Sequence, residues 1–368
     1  MGDIPKGRLL SLDAFRGITI AGMILVNKPG SWTHVYPPLL HADWHGWTPT
    51  DLIFPFFLFI IGVAMTFSFS RRMEEGGRGA LYRKIIWRSF IIYALGLLLN
   101  AFPAFDLENL RFTGVLPRIA IVYLISSIIV LNTTLRGQIA FCWSLLVVYW
   151  GLMTLAPVPG HGAGVLTPEG NLAAYVDSLF LPGRMWQGTW DPEGILSTIP
   201  AVSTTLFGVL TGHWLRTDRD RKEIAAWLFV AGWGAILAGM LWGIWFPINK
   251  QIWTSSYALF TAGAALQFLG VCYWLIDVYD FRRWFYPALV FGMNAIAVYV
   301  LSSIMISLFH YIHLPGEGSS TVMAWIYQNL FAAWLAPKNA SLGFALVYVV
   351  FWFSVMDLFY RKRVFIRV

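Results

Sequence analysis

Apolar residues in this chain come in blocks that leave no room for a water-facing stripe. Leu196–Leu210, Leu228–Trp245 and Phe344–Val355 each run without a charged side chain. A helix that crosses a hydrocarbon core of about 30 Å needs about 20 mostly apolar residues, and blocks of that kind recur from end to end. The pattern predicts an all-α, polytopic integral membrane fold of about ten spans. They fall at 10–27, 51–70, 87–103, 116–132, 138–156, 195–215, 224–245, 255–276, 286–309 and 341–360. Met323–Leu335 is shorter and interrupted by Gln328 and Asn329, so it reads as an interfacial or re-entrant helix. No small-residue cleavage site precedes Leu12–Asn27, which is expected to stay as the first span. No internal repeat or soluble segment stands out, and one membrane domain over residues 1–368 is the simplest organisation.

Composition agrees. Hydrophobic residues make up 58% and charged residues 12%, against about 25% charged in soluble domains, and mean hydropathy is +0.63. The net charge of +7 implies no nucleic-acid partner, because the basic residues follow the loops. With the N-terminus in the cytoplasm, most of the 26 basic residues fall on the inner side. These include Lys6 and Arg8, the cluster from Arg71 to Arg88, Arg216 to Lys222, and Arg361 to Arg367. Both termini are therefore expected to be cytoplasmic. The histidines run the other way. His34, His41, His45, His161, His310 and His313 fall in outer loops or at outer helix ends, and the longest loops, 28–50, 157–194 and 310–340, are outer as well. Loops held by a rigid scaffold carry chemistry, so the outer face is the place to seek it.

Charged and polar residues in that setting need a reason. Asp13 and Arg16 sit three apart at the start of the first span, on one helix face. They form either an ion pair at the helix start or a polar entrance for an anionic ligand. The outer loop from His34 to Asp51 holds three histidines. Thr48-Pro-Thr-Asp51 has the form of a helix start in which Asp51 closes a capping box. His41 and His45 are spaced for a metal on a helix, but Pro37, Pro38 and Gly46 break the backbone and no third ligand stands out; no metal is expected. A single histidine acting as general base fits better, and composition alone does not choose among the three. Asp191, ahead of Pro192, is placed to cap the sixth span. With Glu193 and Trp190 it is equally placed to hold a sugar. Asn249 and Lys250 lie in another outer loop, and Asn294, inside the ninth span, marks helix packing or a ligand path. Cys142 and Cys272 sit in apolar runs, with neither disulfide nor zinc spacing.

Several segments, taken together, resemble the heparan-α-glucosaminide N-acetyltransferase family. They are SLDAFRGI (11–18), Val26-Asn27, HADWHGWTPTDLIFPFFLFIIG (41–62), GVLPRIAIVYL (114–124), WDPEGILSTI (190–199), PINKQIWTSSY (247–257) and GMNAIAVYV (292–300). They occur in order over nearly the whole chain. The resemblance implies that the active-site histidine falls on His41 and the loop-entry asparagine on Asn27. It also implies acetyl-CoA as co-substrate, in a pocket running up between the helices. Arg16, Asp13, Asn294 and Arg118 are then candidates to bind the cofactor. Asp191, Glu193, Trp190, Asn249, Lys250 and Asp51 are candidates for the acceptor sugar. Asp43 and His45 depart from the lysosomal pattern, which leaves the acceptor glycan open.

The expected activity is transfer of an acetyl group from cytoplasmic acetyl-CoA to the amine of a glucosamine-type sugar at the outer face. The expected setting is a bacterial inner membrane, with lipid as neighbour and a homodimer implied by the family. The rivals are a sugar transporter without chemistry and acyl transfer to a lipid or wall hydroxyl.

Overall fold

The computed structural model describes residues 9–315 and 320–366, with the side chains of 71–76 excepted. Lys6, Arg8 and Arg367, and the side chains of Arg71 and Arg72, lie outside the described residues. The main helices are α1 (Leu10–Asn27), α2 (Ile53–Ala101), α3 (Val115–Asn132), α4 (Leu135–Leu155), α5 (Leu172–Phe180), α6 (Thr198–Leu215), α7 (Arg221–Trp242), α8 (Ser255–Tyr273), α9 (Tyr286–Met293), α10 (Ala295–Tyr311), α11 (Val322–Ile326) and α12 (Pro337–Arg361). Helix is the economical answer in hydrocarbon, where each backbone N–H and C=O must be satisfied within the segment. The chain divides into two compact units.

The expected spans map onto these helices with three instructive differences. Among the described residues, eight helical segments are long and apolar enough to cross a membrane. Two of them belong to α2, which breaks at Gly77, where φ is +71°. The ninth expected span is a bent pair, α9 and α10, meeting at 82° beside Asn294. The sixth coincides with α6, which is not among the eight. Its interior-facing Ser203, Thr204 and Thr205 are fully buried, so a helix wrapped by protein needs less apolar surface than one facing lipid. Val147 on α4, Leu237 on α7 and Val350 on α12 are exposed instead, as a lipid-facing side requires. The protein is an integral membrane protein. Among the described residues, the segment between α10 and α12 holds α11 and one π-turn (Tyr327–Ala332), too short to span.

The first unit comprises the chain up to His41, Thr48–Ile53, and the chain from Phe268 onward. Its centre is α1 against α9. A Cβ on Gly17 would lie 1.7 Å from the Ala288 carbonyl oxygen, and one on Gly292 would lie 2.0 Å from that of Asp13. The two backbones therefore touch, as small residues permit.

The second unit comprises Ala42–Trp47 and Phe54–Gln267. Here α6 lies on α2 in the same manner. A Cβ on Gly62 would meet the Thr205 oxygen at 1.9 Å, and one on Gly208 would meet that of Phe59 at 2.0 Å. Cys142 and Ser203 join α4 to α6, with Ser203 Oγ donating to the Cys142 carbonyl at 3.0 Å.

Gly62→Ala should therefore push α2 off α6 and cost about 1–3 kcal/mol. Gly234→Ala, at an α7 position with open space around it, should cost nothing. Thermal midpoints of the purified variants in detergent check this; equal midpoints would rule out the close α2–α6 contact.

Candidate functional site

In the first unit the loop after α1 folds back onto the start of α2. Thr48 and Asp51 form a reciprocal capping box ahead of that helix, as the sequence pattern predicts. Asp51 Oδ2 accepts from Thr48 N at 2.9 Å and from Thr48 Oγ1 at 3.1 Å. Its Oδ1 lies 2.7 Å from His41 Nδ1. The Asp51 side chain is 1% exposed and that of His41 38%. Asp51, placed among the sugar contacts on sequence grounds, thus spends its oxygens on the helix cap and on His41. A carboxylate at Nδ1 keeps a proton there and places the basic lone pair on Nε2, at the far edge of the ring. The loop is pinned further by Thr48 Oγ1 on the Leu40 carbonyl and Thr50 Oγ1 on that of Pro38. The other histidine of this unit's loop, His34, has hydroxyl partners among the described residues, with Nδ1 3.0 Å from Thr33 Oγ1 and 3.4 Å from Ser31 Oγ.

Asn27 ends α1, and Lys28 follows it. Lys28 is half-buried, and burial pulls its ammonium down to about 8. Nothing in the sequence singled it out beyond its place among the few outer cations. At the other end of α1, Asp13 and Arg16 form the expected ion pair, 3.0 Å apart. Arg16 also reaches the Gly292 carbonyl at 3.5 Å. Two residues on, Asn294 sits at the α9–α10 bend, 1% exposed. Its amide binds the C-terminal segment, donating to the Val364 carbonyl at 3.1 Å and accepting from Ile366 N at 2.9 Å. The structure thus brings Asp13, Arg16 and Asn294 to one end of the α1–α9 pair, and the packing role foreseen for Asn294 is met by the chain's own tail.

The second unit gathers the remaining candidates. Asp191 does not cap α6, whose first residue is Thr198, preceded by Ser197. The reason is a long-range competitor that local reading misses. Arg111 grips Asp191 with two nitrogens, at 2.7 and 2.6 Å. Thr113 Oγ1 and the backbone N–H groups of Trp186 and Glu193 also donate to the same carboxylate. Burial alone would raise the Asp191 carboxyl, but Arg111 outweighs it and holds it below the usual carboxylate range. Arg111 Nη2 also reaches Glu193 at 2.6 Å, and its guanidinium lies over Trp186. Trp190 packs edge-on against Trp44, with ring centroids 5.1 Å apart.

Arg118 lies beneath this network, 1% exposed. Its Nη2 donates to the Gly194 carbonyl at 3.0 Å, and its guanidinium stacks on Trp253 at 5.3 Å. Its Nε and Nη1 have no hydrogen-bond partner among the described residues. Buried charged donors left unpaired are costly, which marks Arg118 as a cation in want of an oxygen partner. Asp177 on α5 accepts from Ile195 N at 2.8 Å, and burial pushes its carboxyl up to about 6.

Asn249 is fully buried and faces His45, with Nδ2 3.3 Å from the ring Nδ1. The Lys250 carbonyl accepts from Trp253 N at 3.1 Å. No group of three or more histidine, cysteine or carboxylate side chains that could hold a metal occurs among the described residues.

Fold and sites together define a polytopic helical membrane protein in which the loop after α1 presents a histidine paired with a buried carboxylate. A family model, "Heparan-alpha-glucosaminide N-acetyltransferase, catalytic", matches residues 8–238. That is more than half of the chain, and the chain belongs to this family. The match covers Asn27, His41, Asp51, Arg118, Asp191 and Glu193, and stops short of Asn249 and Asn294. Among curated proteins the chain is 28% identical to the human heparan-alpha-glucosaminide N-acetyltransferase, over 98% of this chain and 60% of that protein. It is 28% identical to the mouse protein of the same name, over 80% of this chain and 53% of the relative. The chain thus spans a little over half the length of the relatives it matches.

The half-buried ammonium of Lys28 makes stability depend on pH. Its folded pKa lies below the ordinary 10.5, so between about 8 and 10.5 the unfolded chain binds more protons and stability rises with pH. Lys28→Met should be more stable than the wild type at pH 7, and the difference should narrow as pH climbs from 8 toward 10.5. Thermal midpoints across that range check this, and a constant difference would contradict a desolvated ammonium.

Proposed function

We propose that this protein is an N-acetyltransferase that moves the acetyl group of acetyl-CoA to the amine of a glucosamine-type sugar at the outer face of a bacterial inner membrane. Both termini then lie in the cytoplasm. The observation that carries the reading is the 2.7 Å pairing of His41 Nδ1 with the buried Asp51 carboxylate, in a member of the acetyltransferase family. A base whose second nitrogen is fixed by a carboxylate is the arrangement that acyl transfer uses.

The chemistry balances simply. The sugar amine attacks the thioester carbonyl, a C–N bond forms and the C–S bond breaks. His41 Nε2 takes the proton that the amine sheds and returns one to the departing thiolate, so free CoA leaves as the thiol. An alternative order has His41 attack first and carry the acetyl group, which gives ping-pong kinetics. Asn27 donates to the developing oxyanion, a role worth about 3 kcal/mol where it has been measured. Asp51 serves His41 as orienting partner and leaves the sugar to others.

The nucleotide of acetyl-CoA is anionic and does not cross about 30 Å of hydrocarbon unaided. The inner basic segments hold it, and Arg16, with Asp13 positioning it and Asn294 nearby, forms the polar mouth. Arg118 offers its two unpaired nitrogens to an oxygen of the cofactor arm. Trp190, Lys250 and Glu193 remain the acceptor's contacts, with Asp191 bracing Glu193 through Arg111, while Asn249, fully buried, supports the acceptor region from behind. The family relationship further points to a homodimer.

Purified protein given labelled acetyl-CoA and glucosamine should yield N-acetylglucosamine. His41→Ala should lower kcat by on the order of 10²–10⁴-fold while the protein elutes as the wild type does. Asp51→Asn should lower it by up to ~10⁴-fold, the scale on which an orienting carboxylate matters. Wild-type turnover by the His41 variant removes the assignment, and sugar uptake into vesicles without acetyl-CoA supports transport instead. A separate variant tests the cofactor contact. Arg118→Met should raise the acetyl-CoA KM about tenfold or more without lowering the thermal midpoint. A lower midpoint with unchanged KM would make Arg118 a structural cation only.

A further inference from the structure

The outer loop carries a second histidine whose protonation is fixed by the fold in the opposite sense to that of His41. Asn249 fixes it. The Asn249 side chain is fully buried, and its Oδ1 accepts from Ile252 N at 3.2 Å. Its own backbone N–H donates to Thr254 Oγ1 at 3.0 Å, and its carbonyl accepts from Thr254 N at 3.0 Å. With the amide oxygen committed to a backbone donor, the amide nitrogen must be the atom turned to His45 Nδ1, 3.3 Å away. An amide nitrogen only donates. His45 Nδ1 is then an acceptor, and the ring proton sits on Nε2. Partial burial lowers the imidazole's pKa as well, and protonation would set two donors face to face.

At His41 the carboxylate leaves Nε2 as a base, whereas at His45, four residues on, the amide leaves Nε2–H as a fixed donor. His45 is exposed, and its Nε2 meets no hydrogen-bonding group of the described residues. Its setting is that of a sugar platform. Trp44 lies edge-on to the His45 ring and to Trp190, at 6.2 and 5.1 Å. The Trp44 indole is tied to the Leu166 carbonyl at 2.8 Å, and Gly46 N–H to that of Ile248 at 2.7 Å. Indole faces and edges suit the C–H surface of a pyranose, and a neutral N–H suits a hydroxyl oxygen.

We propose that His45, its tautomer set by Asn249, is a specificity-determining residue that donates from Nε2–H to a hydroxyl oxygen of the amino-sugar acceptor. The donor also works by exclusion. A fixed N–H cannot accept from an ammonium hydrogen, so the protonated amine of an arriving sugar is turned away from His45. A site that has committed a donor to a hydroxyl discriminates strongly against sugars that lack it. Asn249 acts through His45 as a positioning residue. The inference rests on the acetyl-transfer reading above and names how the acceptor is read.

The test uses the full chain, purified in detergent, with acetyl-CoA and glucosamine or its 3-, 4- and 6-deoxy analogues. His45→Ala should raise the glucosamine KM about tenfold or more, with kcat at saturating sugar and the acetyl-CoA KM within about twofold of the wild type. His45→Gln, whose amide can donate from a similar place, should recover part of the loss. One deoxy sugar should show the same penalty on the wild type and no additional penalty on His45→Ala, which identifies the hydroxyl. An unchanged glucosamine KM in His45→Ala, or a loss confined to kcat, overturns the inference and leaves acetyl transfer standing. Absence of acetylation by the wild type overturns the reading beneath it, and the inference falls with it.

Discussion

A carboxylate buried at the start of a membrane helix must find all its hydrogen bonds within the protein, and Asp51 finds them in two directions. One oxygen closes the cap of α2 through Thr48, and the other holds His41. The cap matters because the first turn of a helix has N–H groups that nothing else satisfies. Since one residue serves both ends, the position of the histidine follows from the start of the helix. A loop with Pro37, Pro38 and Gly46 in it gains a fixed reference point that its own backbone does not provide.

The second unit solves a similar problem with arginine. Arg111 and Asp191 lie far apart in the chain, yet their paired contacts tie the loop after α2 to the loop before α6. Bidentate geometry specifies orientation as well as charge. Next to it, Arg118 is left with donors to spare. One guanidinium is held by two carboxylates and the other faces none among the described residues, and this difference separates a brace from a candidate binding group. Asn249 shows the same economy, because one amide both closes its own loop and dictates the tautomer of His45.

Much of this was legible in the sequence. Long charge-free runs fixed the spans because hydrocarbon permits few alternatives. The Thr48–Asp51 box and the Asp13–Arg16 pair were legible because their partners lie three residues apart. Asp191 was misread as the cap of α6, because its true partners, Arg111 and Thr113, come from a distant loop that no local spacing reveals. The break at Asn294 showed only as one polar residue within an apolar run, and its partner, the backbone of Val364 and Ile366, carries no side-chain signal. The histidines were visible as a cluster, but their separate roles depend on which group faces each Nδ1.

In the proposed reaction an imidazole oriented by Asp51 meets the thioester. A cryo-EM structure of the full chain with a non-transferable acetyl-CoA analogue tests it most directly. The acetyl carbonyl carbon is expected about 3–4 Å from His41 Nε2, close enough for a near-attack geometry, with the Asp51 contact intact. An analogue well resolved with its acyl group far from His41, or with His41 turned away from Asp51, would contradict it.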